Sequence, residues 1–385
     1  MRAWLVGGAV AVMAVMVAGL NGCSSAKCTG FDCANGDGGD GDGGNPFQDP
    51  DASLNGGDGG NGGGCNPDPG NFDVPGNNCD DDGDGKVDNA PSCDGQLPLT
   101  GSASQFAQSI GLCQMSSGSS WGVVSATYAQ GVAEQHGILS KFGNVIKARQ
   151  GLQLGVLSSG MAREQDNCPF NLTGAFQGGC PMGGPGTAPA GFPKPAQGCP
   201  INSDVNDVST VKLTIKVPNN AKGLQFDFNF FSGEWPQWVC TDFNDAFIAY
   251  LKSSAFNNGT ADNISFDAKK NPVSVNNGFF DRCSPKNATV GCAGNSTSTS
   301  ACAGGDAELK GTGFYSPGAH CSGTDSGGGA TGWLTTQAPV KQGETITLGF
   351  MIWDTGDDAF DSSVLLDNFT WLAGDTVTGT TRPPN

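Results

Sequence analysis

Histidine is nearly missing from this chain of 385 residues: only His136 and His320 occur. That leaves little from which to build a zinc centre or a His-dependent nucleophile, both of which draw on the imidazole ring. Positive charge is also scarce, with 19 Lys plus Arg against 37 Asp plus Glu and a net charge of −18. Phosphate backbones need a clustered positive field, so nucleic acid and nucleotides are not expected partners. Helical periodicity is almost absent, and a long apolar run occurs once, at the N-terminus. Cysteine and glycine are plentiful instead, at 15 and 62 residues. Thiols at this density point to disulfides and an oxidising compartment.

The apolar run, Ala3 to Leu20, follows the single positive charge of Arg2 and reads as a secretory signal over residues 1–22. Leu20-Asn21-Gly22-Cys23 then resembles a bacterial lipobox, in which the chain is cut before the Cys and the Cys is lipidated. Parity agrees: setting Cys23 aside leaves 14 cysteines, an even number that can pair completely. A lipid on Cys23 would hold the protein to a membrane without a spanning helix. The lipobox resemblance and Ser24 after the Cys imply an outer-membrane lipoprotein exposed on the bacterial envelope.

Residues 23–72 are mostly Gly, Asp, Asn and Pro, too poor in apolar surface to offset the entropy of ordering, and are expected to form a disordered tether. Fifteen of the acids but only one Lys lie in residues 32–94, so the acidity belongs mainly to this part of the chain. Its end changes character. In Asp80-Asp81-Asp82-Gly83-Asp84-Gly85-Lys86-Val87-Asp88, the side chains of Asp80, Asp82, Asp84 and Asp88 have the spacing of a calcium loop turned by Gly85. No helices flank it, so it is similar to the calcium repeats of thrombospondin type 3 or dockerin-like segments. Residues 73–95 are set apart as this calcium-loop segment, with Cys79 and Cys93 placed to close it covalently.

From residue 96 to 373 the pattern is that of a folded domain. Ser102 caps a short helix with apolar residues at 106, 110 and 113. Beyond it strands dominate. Val211, Leu213, Ile215 and Val217 alternate with polar residues, as do Leu224, Phe226, Phe228 and Phe230, and Ile346, Leu348, Phe350 and Ile352. Phe247–Leu251 and Val364–Leu366 read as strands buried on both faces. Many short alternating strands without βαβ units predict an all-β, antiparallel, jelly-roll-like β-sandwich, with 164–203 and 281–330 as Cys-rich loops. Residues 374–385 are expected to be a disordered tail.

Several blocks carry a family resemblance: Gly155-Val156-Leu157-Ser158-Ser159-Gly160, Ser232-Gly233-Glu234-Trp235-Pro236, Asp242-Phe243-Asn244-Asp245-Ala246-Phe247 and Trp353-Asp354-Thr355-Gly356-Asp357-Asp358-Ala359-Phe360-Asp361. Residues 100 to 372 resemble the choice-of-anchor L domain, an extracellular domain shared by bacterial surface proteins with interchangeable anchors. The family often carries a C-terminal anchor; here an N-terminal lipid is expected to serve.

The same blocks hold two acidic constellations. One comprises Glu234, Asp242, Asn244 and Asp245; the other comprises Asp354, Asp357, Asp358, Asp361 and Asp367. Hard oxygen donors on strand-end loops suit structural calcium, with Glu234, Asp242, Asp245, Asp354, Asp357 and Asp361 as candidate ligands. The alternative is that these carboxylates accept backbone N–H groups in tight turns. A glycosidase would use Glu234 and one Asp as its acid pair. Gly118-Ser119-Ser120-Trp121-Gly122 fits G-x-S-x-G and 327–332 fits G-x-G-x-x-G, but neither joins a strand to a helix as its chemistry requires. The expected function is therefore a calcium-stabilised, lipid-anchored binding or adhesion module and not an enzyme. A glycan or a surface protein is its expected ligand, and Trp235 and Trp238 are candidates to stack on sugar rings or to fill the core. A carbohydrate-active hydrolase and a structural envelope protein are the alternatives.

Overall fold

Alternation of apolar and polar residues is realised as two stacked antiparallel sheets. The computed structural model describes residues 65–117, 120–163, 183–276, 279–280, 288–289, 297–298, 305–320 and 325–383. The signal segment, Cys23 and most of the tether lie outside these residues. The strands of the two main sheets are β1 (Gly122–Gln130), β2 (His136–Leu139), β3 (Leu154–Ser158), β4 (Val205–Lys216), β5 (Gly223–Ser232), β6 (Ala246–Lys252) and β7 (Asp262–Asn263). They continue with β8 (Val273–Ser274), β9 (Gly329–Ala330), β10 (Leu334–Pro339), β11 (Thr345–Thr355), β12 (Ser362–Leu372) and β13 (Gly379–Thr381).

The six-stranded sheet runs β1-β4-β11-β6-β8, with β7 beside β6; the seven-stranded sheet runs β13-β10-β5-β12-β3-β2, with β9 beside β5. Their inner faces share one core, to which β4 gives Val211, Leu213 and Ile215, β5 gives Phe226, Phe228 and Phe230, and β12 gives Val364 and Leu366. Phe226 packs edge-on to Phe350 at 4.9 Å, and Phe228 meets Phe247 at 5.0 Å, so the aromatic rings bridge the sheets. Burying each such side chain contributes about 1.5–3 kcal/mol. The result is an antiparallel β-sandwich. The one α-helix among the described residues is α1 (Ala103–Ser109). The Ser102 hydroxyl accepts from the Gln105 amide, and the Gln105 side chain accepts from Ser102 N–H, which closes a capping box.

On the seven-stranded sheet, polar residues that alternate with the core do not all face water. Asp227 and Asn229 of β5 alternate with core phenylalanines, yet they are 1% and 0% exposed. A second apolar cluster of Phe142, Ile146, Phe231, Leu309 and Phe314 covers that side of the seven-stranded sheet. Loop residues supplied from far along the chain make the difference.

Both chain ends of the sandwich are more ordered than composition suggests. Phe72 is buried in the main core, and its backbone exchanges two hydrogen bonds with the Asn220 side chain, at 3.0 and 2.7 Å. Asp94 accepts from the amides of Leu152 and Gln153. The segment from residue 65 is therefore part of the domain, although 65–72 read as tether. At the other end, 379–381 pair with β10 as an edge strand, and Arg382 donates to the carbonyls of Thr331 and Phe279. The expected tail is thus strand through Thr381, because a neighbouring edge satisfies its backbone. Cys79 and Cys93 do not pair with each other. Cys79 bonds Cys65, Cys93 bonds Cys113, and Cys199 bonds Cys240.

Candidate functional site

Four strand ends and one turn bring the acidic blocks together at one end of the sandwich. β5 ends at Ser232, and Glu234 follows two residues later. Asp245 immediately precedes β6, Asp354 lies near the end of β11, and Asp361 immediately precedes β12. Gly356, with a φ of 94°, lies in the turn between β11 and β12. β3 brings Ser158, Ser159 and Gly160 alongside; a Cβ on Gly160 would lie 2.1 Å from the Asp361 carboxylate. Only a glycine admits that approach.

The four acids are interior groups, at 3% exposure for Glu234, 1% for Asp245 and Asp354, and 0% for Asp361. Asp245 accepts the Thr355 amide at 3.1 Å and the Ser362 hydroxyl at 2.7 Å. Glu234 accepts the Asp245 amide at 3.2 Å. Asp354 has neither oxygen in hydrogen-bond geometry with a donor, although the Ser159 hydroxyl is close enough to favour its charge. Among the described residues, none of Glu234, Asp245 and Asp354 is paired with Lys or Arg. Burial, reinforced by the Asp245 charge, pushes the Glu234 carboxyl well up from its ordinary range. Asp354 is raised by burial and by Asp245 and Asp361, and Asp245 is raised mainly by burial.

The remaining sequence candidates fall outside this cluster or at its rim. Asp242 is exposed, and half-buried Asp357 caps the Ala359 amide at 3.2 Å while its charge reaches Glu234 and Asp245. Asp367 belongs to a different group, accepting from the amides of Arg149, Gln150 and Asn368.

A second acidic group lies in the loop docked under Asn220. Carboxylate oxygens of Asp73, Asp80 and Asp82 come within 4.8 Å of one another. Burial raises the Asp82 carboxyl, with neighbouring charges of Asp73, Asp84 and Asp80 adding to it. Asp84 is drawn elsewhere: it accepts the Lys86 amide, which lowers its pKa, and the Asn89 side chain. Asp88 accepts the Asn78 amide at 3.1 Å, leaving its other oxygen buried without a donor. Asp73, seven residues ahead of the spaced motif, escaped the sequence reading because only the fold brings it back.

Residues 196–370 match the family model of the choice-of-anchor L domain. This segment is a choice-of-anchor L domain. The assignment makes the chain a surface-associated bacterial protein. Three of the four acidic or turn blocks, those around Glu234, Asp245 and Asp354, lie within the match; Gly155–Gly160 precedes it and joins through the pairing of β3 with β12. A solved structure of TmCBM61 in complex with beta-1,4-galactotriose is 7% identical, covers 65% of this chain and 89% of that chain, and has a TM-score of 0.24. No curated protein matches.

The sandwich also carries an open groove of about 470 Å³, bordered by Phe192, Phe256 and Phe266 with Lys194, Asn257 and Asp262. Lys270 stands 3.7 Å over the Phe266 ring. Trp235, by contrast, is core, 3% exposed against Phe280, and Trp238 is half-buried against Phe243.

Proposed function

We propose that the protein is a surface-displayed binding or adhesion module whose ligand is a glycan, held to the envelope through Cys23 and its tether. The groove at Phe192, Phe256 and Phe266 carries this reading. Half-buried aromatic faces suit the apolar faces of sugar rings, and Lys194, Asn257 and Asp262 supply donors and acceptors for hydroxyls. The groove also favours binding over hydrolysis. Among the described residues Asp262 is the one carboxylate on its lining, whereas hydrolysis needs two flanking the scissile bond. Glu234 and its acidic neighbours, the residues a hydrolase would use, are shut away from a polymeric substrate by burial.

Calcium at Asp73, Asp80 and Asp82 would stiffen the junction between tether and sandwich. Three oxygens converge there on a loop already docked to the domain, and oxygen donors suit a hard cation. The expected midpoint of thermal unfolding is higher in calcium than in EDTA, and Asp80→Asn with Asp82→Asn should shrink that difference.

A glycan array probed with the full chain tests the ligand. Binding to at least one glycan is expected, with a loss on the order of tenfold in Phe256→Ala, corresponding to roughly 1.4 kcal/mol. An array with no bound glycan, in calcium or in EDTA, would overturn the glycan reading. Radiolabelled fatty acid incorporation tests the anchor; Cys23→Ser should abolish it and release the chain from membranes.

A further inference from the structure

Glu234, Asp245, Asp354 and Asp361 are each at most 3% exposed. Taking a carboxylate out of water costs several kcal/mol unless donors or opposite charge replace its hydration. Asp245 has two donors and Glu234 has one, while neither oxygen of Asp354, at 1% exposure, meets a donor in good geometry, with the Ser159 hydroxyl and the Asp245 carboxyl nearby. Asp354 also feels the charges of Asp245 and Asp361, which places all three in one electrostatic neighbourhood. An orphaned carboxylate sealed among other acids is a separate fact from their clustering. No Lys or Arg among the described residues pairs with Asp354, so a proton or a cation from outside the chain must balance its charge.

We propose that Glu234, Asp245, Asp354 and Asp361 form a buried divalent-cation site, taking calcium, that clamps the two sheets together. Asp245 and Asp354 belong to the six-stranded sheet or its immediate flank, and Glu234 and Asp361 flank strands of the seven-stranded sheet. An ion shared among them therefore crosses the sandwich. All-oxygen coordination suits calcium, whose six to eight ligands and irregular geometry accept mixed carboxylate, carbonyl and hydroxyl donors. No three carboxylates of this cluster come within 4.8 Å of one another, unlike the Asp73 group, so binding would draw the β11–β12 loop inward. Asp357, half-buried, and Asp358, exposed, lie on that loop and mark the side from which an ion would enter. The inference is independent of the glycan groove and of the Asp80 loop.

The test uses the full-length chain carrying Asp80→Asn and Asp82→Asn, which disables the other acidic group. After EDTA treatment, dialysis against calcium and removal of free ion, elemental analysis should find one calcium per chain. The thermal midpoint should fall when EDTA is added. Introducing Asp354→Asn, close in shape but uncharged, should weaken calcium binding on the order of tenfold or more. If that variant does not fold, the loop-disabled chain with its cluster intact decides alone. A loop-disabled chain that retains no calcium and melts identically in calcium and EDTA would overturn the proposal, leaving protons to neutralise the acids. A fall from two calcium ions in the wild-type chain to one in the loop-disabled chain assigns the lost ion to the loop and the retained one to the buried site.

Discussion

The Ser362 hydroxyl donates to Asp245 Oδ2 at 2.7 Å, tying the first residue of β12 in one sheet to the residue that leads into β6 in the other. Ser158 and Ser159 reinforce the same point, both donating to the Ser362 carbonyl, while Ser159 Oγ accepts the Ser362 amide. A single serine thus joins three strand ends from two sheets. The acidic blocks on this part of the chain meet because the sheets close there.

Removing that hydroxyl in Ser362→Ala leaves a fully buried carboxylate short of one donor. A hydrogen bond to a charged group contributes about 1.5–3 kcal/mol, so the urea midpoint at constant calcium should fall by a corresponding amount. An unchanged midpoint would show that Asp245 does not depend on this donor.

His136 should make the fold acid-sensitive. It stacks on Tyr128 with centroids 3.4 Å apart, and burial, aided by the Arg163 charge, lowers its pKa to about 4. The unfolded chain, with an ordinary imidazole, binds more protons between these values. The neutral-His contribution is therefore complete above about pH 6.5 and is lost as pH falls towards 4. NMR titration should place the His136 midpoint near 4; a midpoint near 6.5 would contradict the buried, neutral ring.

Disulfide mapping under non-reducing conditions should recover Cys65–Cys79, Cys93–Cys113 and Cys199–Cys240. The last closes a separation of 41 residues, for which chain entropy predicts a contribution of roughly 3–4 kcal/mol. Cys199→Ser with Cys240→Ser should lower stability by that order. A peptide linking Cys79 to Cys93 would refute the pairing.

Arg149 Nε meets Asp227 Oδ2 at 2.5 Å on the covered outer face of the seven-stranded sheet. Asp227 is buried and Arg149 partly exposed, so Arg149→Met leaves an interior carboxylate with only its Thr335 and Asn368 donors. A loss of about 2–3 kcal/mol is expected, less than for a wholly interior pair. Asp227→Asn in the same background should recover part of it. No recovery would mean that Arg149 acts through packing on Trp333, over which its guanidinium lies at 5.8 Å.

Period-two alternation was enough to identify the strands carrying Val211, Leu213 and Ile215, and those carrying Phe226, Phe228 and Phe230, because side-chain direction in a strand follows local geometry alone. The Ser102 cap, the continuous burial around Val364 and the positions of the acidic blocks are legible for the same reason. Burial of Asp227 and Asn229 is not, since the cover comes from Phe142, Leu309 and Phe314, which are remote in sequence. Asp73 joins Asp80 and Asp82 only once the loop has folded back. The pairing of Cys79 likewise depends on which thiols the fold brings to about 5.4 Å between Cα atoms.

By itself the sequence determined the class of fold, the acidic residue types and their places at strand ends, all properties of neighbours along the chain. Tertiary structure alone decided which acids share an interior and which stay wet. Asp242 and Asp245 stand three residues apart, yet the first is exposed and the second is 1% exposed. The difference lies in sheet closure: Ser362 and Thr355, more than a hundred residues away, arrive to hold one carboxylate and not the other.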